Sequence, residues 1–89
     1  MKYYLYIIEC SNDTLYTGIT TDLQRRFNEH KKGQGSRYTL FHPPTRILYT
    51  EPHRNRSEAT KREHEIKSWT RDKKLQLIGS NCDRAGYDA

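Results

Sequence analysis

The sequence predicts an α+β fold, in which a small three-stranded antiparallel sheet has flanking helices in the order strand, strand, helix, strand, helix, helix (ββαβαα). Three observations predict it. Two β-rich runs flank a turn, a helix follows between a cap signal and a glycine, and two more helical segments end the pattern. With 89 residues the chain has room for one domain, expected at residues 1–79, and a polar, mobile tail at 80–89.

The first two strands are expected at residues 2–10 and 14–20, joined by a turn at 11–13 that pairs Cys10 with Thr14. In this register four apolar side chains share one face of the sheet, and a slip of one residue would mix the two faces. The apolar face holds Leu5, Ile7, Leu15 and Ile19, and the other face holds Tyr4, Tyr6, Ile8, Tyr16 and Gly18.

Tyr6 lies opposite Gly18 in this register, with Tyr16 nearby on the same face. Glycine has no side chain, and the position opposite Tyr6 is therefore expected to be open. We expect a hollow beside two phenol groups.

The first helix is expected to begin at Thr21, which forms a capping box with Gln24, and to stop at Gly33. Its buried side is formed by Leu23 and Phe27. Arg26 and His30 are four residues apart, and they lie together on one flank of that buried side.

The rest of the chain is expected to alternate basic loops with regular elements. A long loop at 33–44 leads into a third strand at 46–51, and a second basic loop follows at 52–56. Asn55 or Ser57 caps a second helix that runs to about Trp69. A last short helix is expected at about 71–78.

Charge and cysteine usage narrow the function classes. The net charge of +5 and pI of about 9.4 favour polyanionic partners. Cys10 and Cys82 fit neither a zinc-site spacing nor a disulfide framework, which favours reduced thiols. The first apolar run ends at Glu9 and is too short to span a bilayer. We expect a cytoplasmic protein without a membrane partner.

Glu63 is the residue of the second helix that is most informative about function. At ~100° per residue it falls within ~40° of Ala59 and on the same stripe as Ile66. A carboxylate that faces inward must be paired, protonated or bound to a metal. The position alone leaves two readings open, a metal ligand or a structural ion pair with an arginine.

A joint pattern connects these residues. Tyr4-Leu5-Tyr6 on the first strand is followed by Tyr16-Thr17-Gly18 on the second, by Arg26 and His30 on a helix, and by Glu63 on a later helix. In this pattern residues 2–78 resemble the GIY-YIG nuclease family, and most closely its small stand-alone bacterial branch. The segments at 16–20 and 66–69 are similar to sequences of that branch.

The resemblance implies a metal-dependent endonuclease that hydrolyses DNA phosphodiester bonds, with repair or recombination as its setting. Glu63 would hold a single Mg²⁺ or Mn²⁺. Arg26 would bind the scissile phosphate, and Tyr6 or Tyr16 would deprotonate the attacking water. His30 would support them as a base relay or a phosphate ligand. No small-molecule cofactor is implied.

DNA is the expected partner, with specificity supplied by this domain or by a protein partner. Two other classes remain open, a non-catalytic DNA-binding module with this fold and a protein-interaction domain. The module is favoured by Ile19, which replaces a lysine of the excision-repair branch. The side chains expected to contact nucleic acid around the Tyr6 and Glu63 hollow are Lys31, Lys32, Arg37, Arg54, Arg56, Lys61 and Arg62.

Overall fold

The structure is a computed structural model that describes residues 2–79. Three strands pair in the order β2-β1-β3, with both pairings antiparallel. Among residues 2–79 no helix is long and apolar enough to cross a membrane. The elements are β1 (Tyr3–Cys10), β2 (Leu15–Thr20), α1 (Leu23–Lys31), α2 (Arg37–Phe41), β3 (Pro44–His53), α3 (Arg56–Lys67) and α4 (Arg71–Gly79).

The predicted register of the first hairpin is confirmed. Tyr6 pairs with Gly18, and the Cys10 amide donates to the Thr14 carbonyl at 2.9 Å. Asp13 has a φ of 63°, which allows the short turn to close. Cys10 is buried and forms no disulfide, whereas Cys82 lies outside the described residues.

The two faces of the sheet carry separate apolar clusters, as the alternation predicts. One cluster, which includes Ile66 of α3 and is flanked by Trp69 and by side chains of α4, lies on the face of Leu5 and Ile7. The other contains Tyr6 and Ile8 and is covered mainly by side chains of α1. The central strand β1 is therefore buried on both faces, and its side chains are held firmly in place.

The start of α1 differs from the prediction, and its end agrees with it. Asp22 is the N-cap, and its carboxylate accepts from the Arg25 amide at 3.1 Å. A carboxylate is a strong cap because it accepts hydrogen bonds and complements the helix dipole. The predicted box of Thr21 and Gln24 does not form the cap. Gly33 follows the helix with a φ of 78°, which favours glycine.

The segment predicted as a loop at 33–44 contains the short helix α2. Ser36 caps it by accepting from the Thr39 amide at 3.2 Å. One turn of helix is too short to show a periodic pattern in the sequence.

The strand β3 is longer than predicted at both ends. It pairs with β1 from Tyr3 and His53 to Cys10 and Pro44, because the central strand offers hydrogen-bonding groups along its whole length. The predicted loop at 52–56 is correspondingly short. Asn55 caps α3, which ends at Lys67 rather than near Trp69, and the predicted tail at 80–89 lies outside the described residues.

Candidate active site

Tyr6 lies at the middle of β1, and its side chain is only 3% exposed. Its hydroxyl forms a hydrogen bond with His30 Nε2 at 2.8 Å. A β-carbon at Gly18 would lie 2.6 Å from Cζ of the Tyr6 ring. The hollow predicted beside Gly18 is therefore filled by the Tyr6 phenol itself, and Gly18 is needed because the ring passes over it.

His30 is fully buried beneath the short helix α2. Its Nδ1 contacts the Thr39 hydroxyl at 2.7 Å, and that hydroxyl lies 3.2 Å from the Ser36 carbonyl, to which it donates. Nδ1–H therefore donates to Thr39, and Nε2 accepts from the Tyr6 hydroxyl. A β-carbon at Gly35 would lie 2.6 Å from Cε1 of the histidine ring.

This burial corrects one of the two roles expected for His30. A fully enclosed imidazole whose two nitrogens both have partners cannot contact a phosphate group. The geometry leaves it in contact with the Tyr6 phenol, where it can orient that group.

Burial also sets the charge states of this pair. Desolvation raises the pKa of Tyr6 to about 12. The neighbouring Arg26 lowers this pKa, but its effect is weaker than that of desolvation. Desolvation, with the Arg26 charge adding to it, lowers the pKa of His30 to about 4. At neutral pH the pair is a neutral phenol beside a neutral imidazole.

We expect the free energy of unfolding to fall as the pH is lowered from about 6.5 to about 4 because of His30. The unfolded chain takes up this proton near pH 6.5, whereas the folded chain resists it until the lower value. The shift corresponds to about 3 kcal/mol. Urea unfolding at a series of pH values measures the loss. By NMR the His30 ring should titrate near pH 4, and a midpoint near pH 6.5 would contradict this prediction.

Arg26 lies beside the Tyr6 phenol and is held in place by two hydrogen bonds. Nη1 donates to Glu29 at 3.1 Å, and Nη2 donates to the Gly35 carbonyl at 3.0 Å. Its side chain is 29% exposed, and it therefore remains accessible to a ligand.

An open groove of about 240 Å³ runs past Arg26 along the edge of the sheet. Arg25 and Arg56 also line it, beside the uncharged Ile19 and Thr20. Three guanidinium groups on one groove suit a phosphate chain. The sequence analysis did not single out Arg25. Its position beside Arg26, on the same helix as Phe27, which was predicted to be buried, was a signal that could have found it.

Glu63 lies on α3, with its side chain 18% exposed. Its Oε2 lies 3.3 Å from Lys67 Nζ, so the counter-ion is a lysine one turn away rather than the arginine of the alternative reading. The spacing of four residues could have identified this pair. Lys67 Nζ also lies 5.9 Å from the centre of the Tyr16 ring.

Tyr16 completes the connection between the two sides of the site. Its ring contacts the His30 ring edge-on, with 5.3 Å between centroids. The charges of Glu63 and Arg26 both act on the Tyr6 phenol. The structure thus groups the five predicted catalytic residues, Tyr6, Tyr16, Arg26, His30 and Glu63. Hydrogen bonds and ring contacts join Tyr6, His30 and Tyr16, whereas Glu63 is linked to them by its charge and through Lys67.

The seven side chains predicted to contact nucleic acid are not gathered in the same way. Arg54 is exposed and pairs with Glu58 at 2.9 Å. Arg62 donates to Glu51 at 2.9 Å and lies over the Trp69 ring. Lys61 and Arg62 line a separate groove of about 540 Å³ that shares no residue with the cluster. Arg56 lines the Arg26 groove, and the exposed Lys31, Lys32 and Arg37 lie on or next to the helices that cover His30.

Comparison with known proteins identifies the class. Residues 2–76 match the family described as the GIY-YIG catalytic domain. The chain therefore belongs to the GIY-YIG family, whose fold and paired tyrosine motifs the sequence resembles. The same match places the chain in a nuclease superfamily.

Within that family the chain is similar to UPF0213 proteins. One from Haloquadratum walsbyi is 49% identical over 81 residues, which are 91% of this chain and 91% of the relative. One from Staphylococcus aureus is 46% identical over 77 residues, or 86% of this chain and 94% of the relative. The predicted kinship with the small stand-alone branch is confirmed.

Two solution NMR structures confirm the α+β fold. A UPF0213 protein from Bacillus halodurans is 40% identical with a TM-score of 0.58, covering 89% of this chain and 84% of its own. A protein from E. faecalis is 36% identical with a TM-score of 0.62, covering 90% of this chain and 85% of its own.

Proposed function

We propose that this protein hydrolyses DNA phosphodiester bonds with one divalent cation held by Glu63. The observation that supports the proposal is the grouping of a carboxylate, an arginine, a histidine and two phenols from four different elements. Ion pairs or packing alone would not require all five residues to be grouped. Phosphoryl chemistry requires charge stabilisation and positioning of this kind.

Glu63 is suited to bind Mg²⁺ or Mn²⁺ only as a single protein ligand. Within residues 2–79 there is no cluster of three or more histidine, cysteine or acidic side chains that could hold a metal. A lone half-buried carboxylate suits a hard cation that keeps most of its waters and takes phosphate oxygens. Such a cation, when bound, polarises the phosphate and stabilises the leaving oxygen. The Lys67 ammonium would have to move aside.

Arg26 would bind the scissile phosphate. Its two existing hydrogen bonds fix the guanidinium plane, while the exposed part of the group faces the groove. Arg25 and Arg56 would bind the neighbouring phosphates of the same strand in that groove.

The two tyrosines differ in burial, and this difference divides their roles. Tyr6 is enclosed and its pKa is raised to about 12, so it is a poor base as it stands. Tyr16 is half-buried and lies between His30 and Lys67, where it can reach an attacking water. We assign Tyr16 as the candidate general base, which would act as a phenolate after losing its proton to solvent, a loss favoured by the nearby Lys67 ammonium and by a bound cation. Tyr6 is the residue that orients the site with His30.

A cleavage assay with purified protein tests the proposal. The substrates are duplex, nicked, flapped and branched DNA, each incubated with Mg²⁺, with Mn²⁺ and with a chelator. Metal-dependent cleavage of any of these substrates is expected. Its absence on all of them, with DNA binding retained, would favour the second candidate function.

The second candidate is a DNA-binding module with this fold but without turnover. It is favoured by the Glu63–Lys67 ion pair, which occupies the carboxylate, and by Ile19, which packs against the apolar core instead of offering a cation to the groove. The module would bind DNA equally well with and without metal.

We expect DNA affinity to fall steeply as salt is raised. Each phosphate neutralised contributes about −0.9 to the slope of log affinity against log salt for duplex DNA. Arg56→Ala, in the Arg26 groove, should make the slope shallower by about that amount. Lys61→Ala, in the separate groove, is the matched control and should leave the slope unchanged. A flat salt dependence for the parent protein would remove nucleic acid as the ligand.

A further inference from the structure

A row of three aromatic rings leads from the catalytic cluster to the surface. The Tyr16 ring, which contacts His30, is stacked with the Tyr38 ring of α2 at 6.0 Å between centroids and 16° between planes. The Tyr38 ring in turn lies 4.9 Å from the His42 ring, tilted by 47°. None of the roles assigned above uses Tyr38 or His42.

Tyr38 is fixed in place although it is on the surface. Its hydroxyl is hydrogen-bonded to Thr14 and lies 3.4 Å from Asn12 Nδ2, and both of these residues belong to the turn between β1 and β2. The side chain is still 37% exposed. A rigid, exposed ring gives a stacking partner that loses little conformational freedom when a ligand binds.

The charge around the row favours a polyanion. Between Glu29 and Glu51 the sequence has no acidic residue and has Lys31, Lys32, Arg37 and Arg46, of which Arg46 pairs with Glu9. The turn that holds Tyr38 carries one carboxylate, Asp13, so the basic residues outnumber the acidic ones around the row. Arg37 directly precedes Tyr38. Lys31 is the last residue of α1 and Lys32 is its C-cap, and α1 packs against α2. Aromatic rings within a basic surface are the combination that binds single-stranded nucleic acid.

We propose that the Tyr38 ring, with Tyr16 and His42, binds an unpaired base of the DNA strand that enters the site. The substrate class is then DNA with unpaired nucleotides next to the cleaved phosphate, since the bases of an intact duplex have no free face. This inference rests on the proposed function, because it specifies which DNA the same site takes.

Binding to a fluorescent oligonucleotide tests the proposal without requiring cleavage. A single-stranded oligothymidine with one 2-aminopurine is titrated with protein in a chelating buffer, and a duplex of the same sequence is titrated in parallel. Tyr38→Ala should weaken single-strand binding by roughly 5- to 100-fold and reduce the quenching of the 2-aminopurine. Duplex binding should change by less than about twofold, because phosphate contacts are retained.

Two matched variants separate stacking from other effects. Tyr38→Phe keeps the ring and removes the hydroxyl anchor, and it should keep most of the single-strand affinity. Phe41→Ala removes a more exposed aromatic ring, 69% exposed on the same helix, and should have little effect. If Tyr38→Ala proves unstable in a thermal melt, Tyr38→Leu keeps apolar bulk without a π-face and should show the same loss.

Unchanged single-strand affinity in Tyr38→Ala or Tyr38→Leu would overturn the proposal. An equal loss in Phe41→Ala would also overturn it, because the exposed apolar face of α2 would then act as a whole, as a protein-docking surface would. Because the assay contains chelator, these outcomes are independent of turnover. A protein that binds single strands through Tyr38 yet never cuts DNA would contradict the nuclease proposal and leave the stacking site standing.

Discussion

Replacing Glu63 by glutamine is expected to abolish metal-dependent cleavage and to leave the fold intact. Glutamine keeps the size of the side chain but removes the negative charge that would hold the cation. The lost ion pair with Lys67 is half exposed and contributes at most about 1 kcal/mol to stability. DNA affinity should be equal or higher, because a negative charge is removed and Lys67 is released. Initial cleavage rates, thermal melts and DNA titrations measure these effects.

Glu65→Gln is the matched control for this variant. Glu65 is on the same helix, its side chain is 56% exposed, and it pairs with Arg62 rather than with the catalytic cluster. It should cut DNA at the parent rate. A Glu63→Gln protein that still cuts DNA would exclude the metal role. One that melts much earlier than the Glu65→Gln protein would show that Glu63 is mainly structural.

Local rules of chain geometry made much of the fold predictable. The turn at 11–13 pairs Cys10 with Thr14, and the strand period of two residues excludes a slip by one residue. Together they fixed the pairing of Tyr6 with Gly18. Gly33 marked the end of α1 because a positive φ strongly favours glycine there. Glu63 fell on the inward stripe of α3 because helical geometry determines which residues share a face.

The remaining features depended on contacts that no local pattern records. The helix α2 is one turn long and is placed by Ser36 and by the buried contact of Thr39 with His30. The length of β3 is set by its pairing along the central strand. The enclosure of His30 also arises from the packing of α2, so the sequence could suggest its chemistry but not its burial.

The candidate site, like the fold, was predictable from the sequence only in part. Helical geometry placed Glu63 inward, and the resemblance to the GIY-YIG family pointed to Arg26, whereas only the structure revealed how their surroundings constrain them. The Tyr6 phenol fills the space over Gly18, and Gly35 leaves room for the His30 ring. These glycines therefore allow the rings to meet. The site is packed, where an open hollow was predicted, and its accessible side chains are Tyr16, Arg26 and Glu63.

Replacing Arg26 by alanine is expected to reduce kcat for DNA cleavage by about 100- to 1,000-fold, the usual effect of removing one fixed group that stabilises charge on a transition state. The fold should survive, because the side chain is partly exposed and borders the core without filling it. Losing the bond to the Gly35 carbonyl should cost about 1 kcal/mol of stability. Single-turnover rates and urea unfolding measure the two effects separately.

Three further arginine variants show whether Arg26 acts on the scissile phosphate or only attracts DNA. Arg26→Lys keeps the charge but loses the planar fork, and it should recover only part of the rate. Arg25→Ala, in the same groove, should raise KM and leave kcat nearly unchanged, whereas Arg54→Ala, 87% exposed and outside the groove, should change neither. If Arg26→Ala changed only KM, as Arg25→Ala is expected to do, Arg26 would be a DNA-backbone contact, and the chemical step would depend on other groups.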